Sequence, residues 1–278
     1  LKDKRIRRVK QGKTSYNFLF GSVLTLAMSA MAVLGFFWTP YDTEKMQGAA
    51  KLNGPSLSHI FGTDQFGRDV FSRVLEGAGS TMMIAVVTIL VGGVLGIILG
   101  AVTGYMGGWL DETLMRVNDA VAAFPSVLLA LVIVSVWGSG RVKVMLALGI
   151  AFIPSFARIV RGEFLRCRVE DYVTSARLIG VPGWRILFVH ILPNTLPALL
   201  SALTIGFNNA ALAEAGLSYL GIGVQPPDAS LGRMLAESQT YLAGGPWCAV
   251  FPGLFLVLMV LGTGMLGEGI LDRFGGGR

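Results

Sequence analysis

Metal and redox chemistry have little to work with in this chain. Two histidines and two cysteines occur in 278 residues. His59 and His190 stand far apart, and Cys167 and Cys248 form no paired motif, so no metal centre or disulfide framework is expected. Charged residues make up only 14% of the chain. There is no phosphate-cradling G-x-x-x-x-G-K-[ST] loop. Residues 62–69 imitate its glycine spacing, but Arg68 and Asp69 stand where a lysine and a magnesium-binding hydroxyl are needed. This chain is therefore expected to bind no cofactor, neither ATP nor magnesium. No H-E-x-x-H or G-x-S-x-G motif is present either, which excludes the zinc-protease and serine-hydrolase patterns.

What the chain has in abundance is apolar residues, 53% of the total, with a mean hydropathy of +0.63. They gather into blocks rather than spreading at amphipathic spacing, which points to an integral membrane protein. Residues 18–39, 77–110, 120–140, 144–157, 186–213 and 238–267 contain no Asp, Glu, Lys or Arg. About 20 helical residues cross a bilayer core of about 30 Å. Six spans are expected, the fourth continuing past Arg158 to Arg161, whose side chains would reach the headgroups. The first block is too long for a signal-peptide core and should persist as a helix.

Basic residues set the orientation. Lys2, Lys4, Arg5, Arg7, Arg8, Lys10 and Lys13 precede the first span, making residues 1–17 a cytoplasmic N-terminus. Six spans return the C-terminus to the same side, and place residues 162–189 inside and segments 40–79 and 213–240 outside. The net charge of +6 is thus a topology signal rather than a nucleic-acid signature. Trp38, Trp109, Trp137 and Trp247 fall near span ends, as an interfacial belt would. Gly92, Gly96, Gly100, Gly104 and Gly108 recur every four residues and offer a neighbouring helix close backbone approach. Residues 111–119 read as a short acidic loop, and local kinks are expected at Pro125 and Pro154.

An ion-coupled pump would place carboxylates in mid-membrane, where charge is costly and marks function. The spans hold none. Glu214 comes nearest, as a boundary residue or a pathway-lining one. An ATP-independent channel or intramembrane enzyme would also need such charges. Energy should therefore arrive from a partner, and the polar connector at residues 170–194 is positioned to receive it.

That connector resembles the cytoplasmic signature loop of permease subunits in bacterial ABC importers: E-A-A, three residues, Gly, then about nine residues to I-x-L-P. Ala176, Gly180, Leu192 and Pro193 fit; Thr174, Ser175 and His190 depart from the general pattern. The forms D-Y-V-x-x-A-R-x-x-G and H-I-L-P-N are similar to the dipeptide/oligopeptide/nickel permeases, in their DppC/OppC-type subgroup. Four further stretches agree: T-P-Y-D at 39–42, F-G-T-D-x-x-G-R-D-V-x-S-R at 61–73, G-Y-x-G-G-x-x-D at 104–111 and L-S-Y-L-G-I-G-V-Q-P-P at 217–227. The resemblance implies an all-α membrane fold of the type I importer permease, one domain over residues 18–278, in the bacterial cytoplasmic membrane. It implies a second permease subunit, two ATPases that bind ATP and Mg, and an extracytoplasmic solute-binding protein as partners, besides the lipid bilayer. The cargo it implies is a di- or oligopeptide, with nickel or a metal chelate as the alternative.

The resemblance also assigns ATPase coupling to Ala176, Arg177, Ile179, Gly180, Val181, Pro182, Gly183, Trp184 and Arg185. A short helix from about Ala176 to Phe188 would be interrupted at residues 181–183, exposing an apolar knob flanked by Ile179 and Trp184, with Arg177 and Arg185 at its rim. The same basic, amphipathic loop also suits an anionic lipid surface. The external family motif is Gly62, Thr63, Asp64, Gly67, Arg68, Asp69 and Arg73. Its charges can pair with one another or with the solute-binding protein.

Overall fold

The computed structural model describes the backbone of residues 2–275 and the side chains of residues 16–273. The basic side chains from Lys2 to Lys13, on which the expected orientation rests, lie outside the described residues. Ten helices are described: α1 (Lys2–Phe37), α2 (Val70–Met106), α3 (Gly108–Ala122), α4 (Ser126–Trp137), α5 (Arg141–Arg168), α6 (Asp171–Leu178), α7 (Gly183–Arg185), α8 (Leu192–Tyr219), α9 (Leu231–Ser238) and α10 (Trp247–Gly275). A π-helical stretch, Ile186–Ile191, joins α7 to α8. The only β pairing among the described residues is one isolated bridge, Thr63 to Asp69.

Five helices are long and apolar enough to cross a membrane, and the bent pair α3–α4 makes a sixth only if counted as one span. The centre of the bundle is the parallel pair α2 and α5. A Cβ on Gly92 would lie 2.7 Å from the Gly149 carbonyl oxygen, and one on Gly100 would lie 2.4 Å from that of Ala157. Gly96 and Gly104 meet the Cβ atoms of Phe156 and Phe164 as closely, at 2.5 and 2.8 Å. Four members of the glycine stripe therefore form a seam, while Gly108 faces open space. In lipid, such close contact supplies the dispersion that the hydrophobic effect supplies in water. One apolar cluster gathers α1, α2, α8, α9 and α10. A second joins α4, α5 and α8 to α2 through Ile84.

The structure moves several boundaries expected from sequence. Of the segment expected at 40–79, residues from Val70 onward are helix, because Asp69 caps α2 by accepting the Ser72 N–H. Residues 111–119 are helix, not loop. The α3 carboxylates meet α5: Asp111 takes two hydrogen bonds from Arg161, at 2.6 and 2.8 Å, and Asp119 takes one from Arg158 at 2.9 Å. Both arginines therefore have carboxylate partners on α3, and the Arg158 side chain is still largely exposed. The chain breaks at Pro125, where α3 and α4 meet at 81°. Pro154 sits inside α5 without ending it. The segment read as 213–240 begins as helix, since α8 runs on to Tyr219, and ends as α9. Trp247 is no free belt residue: its Nε1 donates to the Thr63 carbonyl at 3.0 Å.

Replacing Gly100 with Leu should lower stability by at least about 2 kcal/mol through overpacking against the α5 backbone. Gly162→Ala, where nothing lies within 4 Å, should be neutral or slightly stabilising. Thermal unfolding of the detergent-purified protein checks both; equal midpoints for the two variants would remove the seam from its central place.

Candidate coupling hairpin and charge latch

The hairpin is built from α6, a tight turn and α7. Its turn follows from one glycine. Gly180 has φ +80°, its N–H donates to the Arg177 carbonyl at 3.0 Å, and the Val181 N–H reaches the Ala176 carbonyl at 3.0 Å. This bond pair is a Schellman stop, which needs a residue in the left-handed region and an apolar contact across the turn. Ala176 and Val181 supply that contact inside a cluster with Val173, Ile186, Ala101, Val160 and Phe164. The hairpin is thereby fixed to the ends of α2 and α5. Pro182 then restarts the helix, its carbonyl accepting from the Arg185 and Ile186 N–H groups.

What remains outside is an apolar cap: Leu178 is 83% exposed, Ile179 80% and Trp184 66%. This corrects the expected knob. Val181 turns inward, and Leu178, passed over in the sequence, takes its place. The helix also begins at Asp171, five residues before the expected start. Helical spacing held the clue for Leu178, since Val173 and Ala176 lie one turn apart on the buried side, which puts Leu178 opposite; Ile179 follows as the cap residue. Arg177 lies over the Tyr105 ring, 5.7 Å from its centroid, and Arg185 is exposed. A Cβ on Gly183 would fall 2.7 Å from the Tyr105 hydroxyl, so α7 presses against α2.

The family motif at the opposite end of α2 is an internal latch. Arg68 donates from Nε to Asp64 at 2.6 Å and from Nη2 to Glu237 of α9 at 3.1 Å. Arg73, 1% exposed, lies 3.8 Å from Asp64 and 3.5 Å from Glu237 and donates to the Thr43 carbonyl at 3.2 Å. Arg233 closes the network on Glu237 at 3.1 Å. Asp69 serves the Ser72 N–H and hydroxyl and pairs with His59 Nδ1 at 2.9 Å. Gly67, at φ +76°, leaves room for the Gln47 carbonyl, which a Cβ would strike at 1.9 Å. Gly62 admits the Trp247 ring, and Thr63 hydrogen-bonds to the Ala50 carbonyl. Glu237, absent from the sequence reading, and His59, read there only as an isolated histidine, complete the latch; an isolated acidic residue in α9 was the only hint of the former.

Glu214 does not line an open path. It is fully buried where α8 meets α2 and α9, accepting from the Ser218 hydroxyl at 2.6 Å, with Thr81 and Ser230 beside it. Among the described residues no group of three or more His, Cys, Asp or Glu is placed to hold a metal ion.

This multi-helix bundle, carrying a short hairpin with an exposed apolar cap, has a counterpart among solved ABC importers. The structure aligns with the MetNI methionine ABC transporter, inward-facing, in its CY5 native crystal form, at TM-score 0.62 and 19% identity, over 72% of this chain and 95% of that one. The chain belongs to the family of binding-protein-dependent transport system inner membrane components, whose model matches residues 92–275. It is 35% identical to the dipeptide transport system permease protein DppC of Alkalihalophilus pseudofirmus, over 95% of this chain and 86% of that protein. It is 39% identical to glutathione transport system permease proteins GsiD, from Pectobacterium atrosepticum (90% of this chain, 83% of that protein) and from Escherichia coli O157:H7 (97% and 87%). The protein is therefore a multi-pass ABC-importer permease subunit, a transport component rather than an enzyme. Its family works with ATPase and substrate-binding partners.

Removing one partner of a buried charge network leaves the others uncompensated, at a cost of about 3–5 kcal/mol. Arg68→Met should therefore lower the unfolding midpoint strongly, and Arg116→Met, at an exposed pair with Glu112, should leave it nearly unmoved. Similar small shifts in both would show that the latch contributes little.

Proposed function

We propose that this chain is one of two different permease subunits of an ATP-driven importer of di- and oligopeptides in the bacterial cytoplasmic membrane. Six spans, with α3–α4 counted as one, would leave both termini and the α6–α7 hairpin in the cytoplasm. The reading rests above all on the exposed cap of Leu178, Ile179 and Trp184. An apolar patch on a polar hairpin fits a groove in a soluble partner, with Arg177 and Arg185 at its rim. That partner is one of two ATPases, which hold the ATP and Mg; this chain binds neither. The solute-binding protein meets the opposite face, where the latch keeps the outer loop in shape. The peptide cargo follows from the relatives, since a dipeptide and glutathione are both small peptides.

The mechanism is mechanical. ATP binding draws the ATPases together and moves the two docked hairpins. The hairpin cluster reaches Ala101 of α2 and Val160 and Phe164 of α5, and the glycine seam holds those helices as one piece. Displacement of the hairpin therefore becomes displacement of both helices as a rigid body.

The complex reconstituted in proteoliposomes should take up labelled dipeptide when ATP is supplied, with glutathione competing and nickel not competing. The double variant Ile179→Asp, Trp184→Ala should insert normally and lose uptake by more than about tenfold, because a charge is buried where an apolar contact was. Full-rate uptake by that variant at normal membrane levels would refute the coupling role. Competition by nickel alone would replace the peptide reading with metal import.

A further inference from the structure

A concave groove of about 480 Å³ opens between α4, α5 and α8, within the range of about 300–1,000 Å³ typical of small-molecule sites. Its polar members are Ser126, Ser155 and Asn209, set among apolar neighbours such as Phe152, Phe156 and Ile205. No charged residue lines it. Ser155 lies at the middle of α5 and Asn209 near the middle of α8, and both are exposed. An amide held at that depth against lipid would lack partners, and leaving a polar group without a hydrogen bond in hydrocarbon costs several kcal/mol. The other faces of the bundle obey this constraint: the exposed residues at mid-length of α2 and α10 include Leu90, Val94, Val257 and Leu261. The α5–α8 groove breaks it. It therefore faces water, cargo or a polar partner surface rather than lipid.

We infer that Ser155 and Asn209, with Ser126 at the margin, form this subunit's substrate-contacting wall and hold the peptide backbone by uncharged hydrogen bonds. The inference rests on the peptide-importer reading and adds to it the residues and the mode of recognition. An amide offers a donor and an acceptor at one site, the complement of a peptide group. A wall without fixed charge does not discriminate between acidic and basic side chains. The nearest fixed charges, Arg158 and Asp119, lie one turn from Ser155 towards the hairpin and are paired at 2.9 Å, so they add no net sign to the exit.

Two measurements on the full complex decide it. Cys167 and Cys248 are buried, so a cysteine introduced at position 155 or 209 supplies the reactive thiol. The thiolate, which forms only in contact with water, is the nucleophile that adds to a maleimide. A hydrophilic maleimide should therefore label Ser155→Cys and Asn209→Cys at least about tenfold faster than Val257→Cys. Lipid-like slow labelling at both positions would overturn the inference. Second, wild-type complex should import lysine- and glutamate-containing dipeptides at similar rates. Asn209→Asp should raise the lysine-to-glutamate uptake ratio by about fivefold or more, since a carboxylate in a low-dielectric groove attracts one charge and repels the other. An unchanged ratio in an assembled complex with stimulated ATPase overturns it. So does loss of the second permease on purification, which would make the groove a subunit interface. If the wild-type complex imports no peptide at all, the peptide reading itself fails, and the backbone-binding role fails with it.

Discussion

Backbone-to-backbone contact between α2 and α5 is the constraint on which the rest depends. No side chain fits between Gly92 and Gly149, or between Gly100 and Ala157, so the two helices cannot slide or roll independently. Packed interiors pass displacement on rather than absorbing it. The pair also reaches both ends of the molecule. At one end α2 carries the latch residues Arg73 and Ser72; at the other, α2 and α5 receive the hairpin through Ala101, Val160 and Phe164. A looser seam would leave a hairpin that moves and helices that do not follow.

The two ends solve opposite problems with different chemistry. At the hairpin, a single left-handed glycine turns the chain so that one apolar set faces inward and another faces out. At the latch, charges are largely buried and paired: two carboxylates, Asp64 and Glu237, face three guanidiniums, Arg68, Arg73 and Arg233. Breaking such a network is costly, whereas its net worth against apolar packing is small. Its value here is geometric, since it ties the loop that precedes α2 to α9, which is far away in sequence.

Much of this was legible beforehand, and the failures have physical causes. The apolar blocks located the long helices because hydrocarbon tolerates little else. The four-residue glycine period announced the seam because the helix repeats near that interval. Boundaries failed where charge was neutralised by partners distant in the chain. Arg73 looked like loop because Glu237 was not known to be near it, and α3 looked like loop because Asp111 and Asp119 had no visible arginines. Glu214 looked like a boundary or pathway residue and is interior, hydrogen-bonded to the Ser218 hydroxyl of its own helix. The α5–α8 groove was invisible, because Ser155 and Asn209 become notable only when both are seen facing the same opening.

The sharp break at Pro125 has a consequence for the barrier itself. Helix α4 has 12 residues, so it is only about 18 Å long, against a hydrocarbon layer of about 30 Å. Helix α3, turned by 81° and carrying Asp111, Glu112, Arg116 and Asp119, cannot make up the difference with apolar surface. On this flank the insulating layer is therefore thin. Little more than half a bilayer separates polar ground on the two sides here, without a continuous pore.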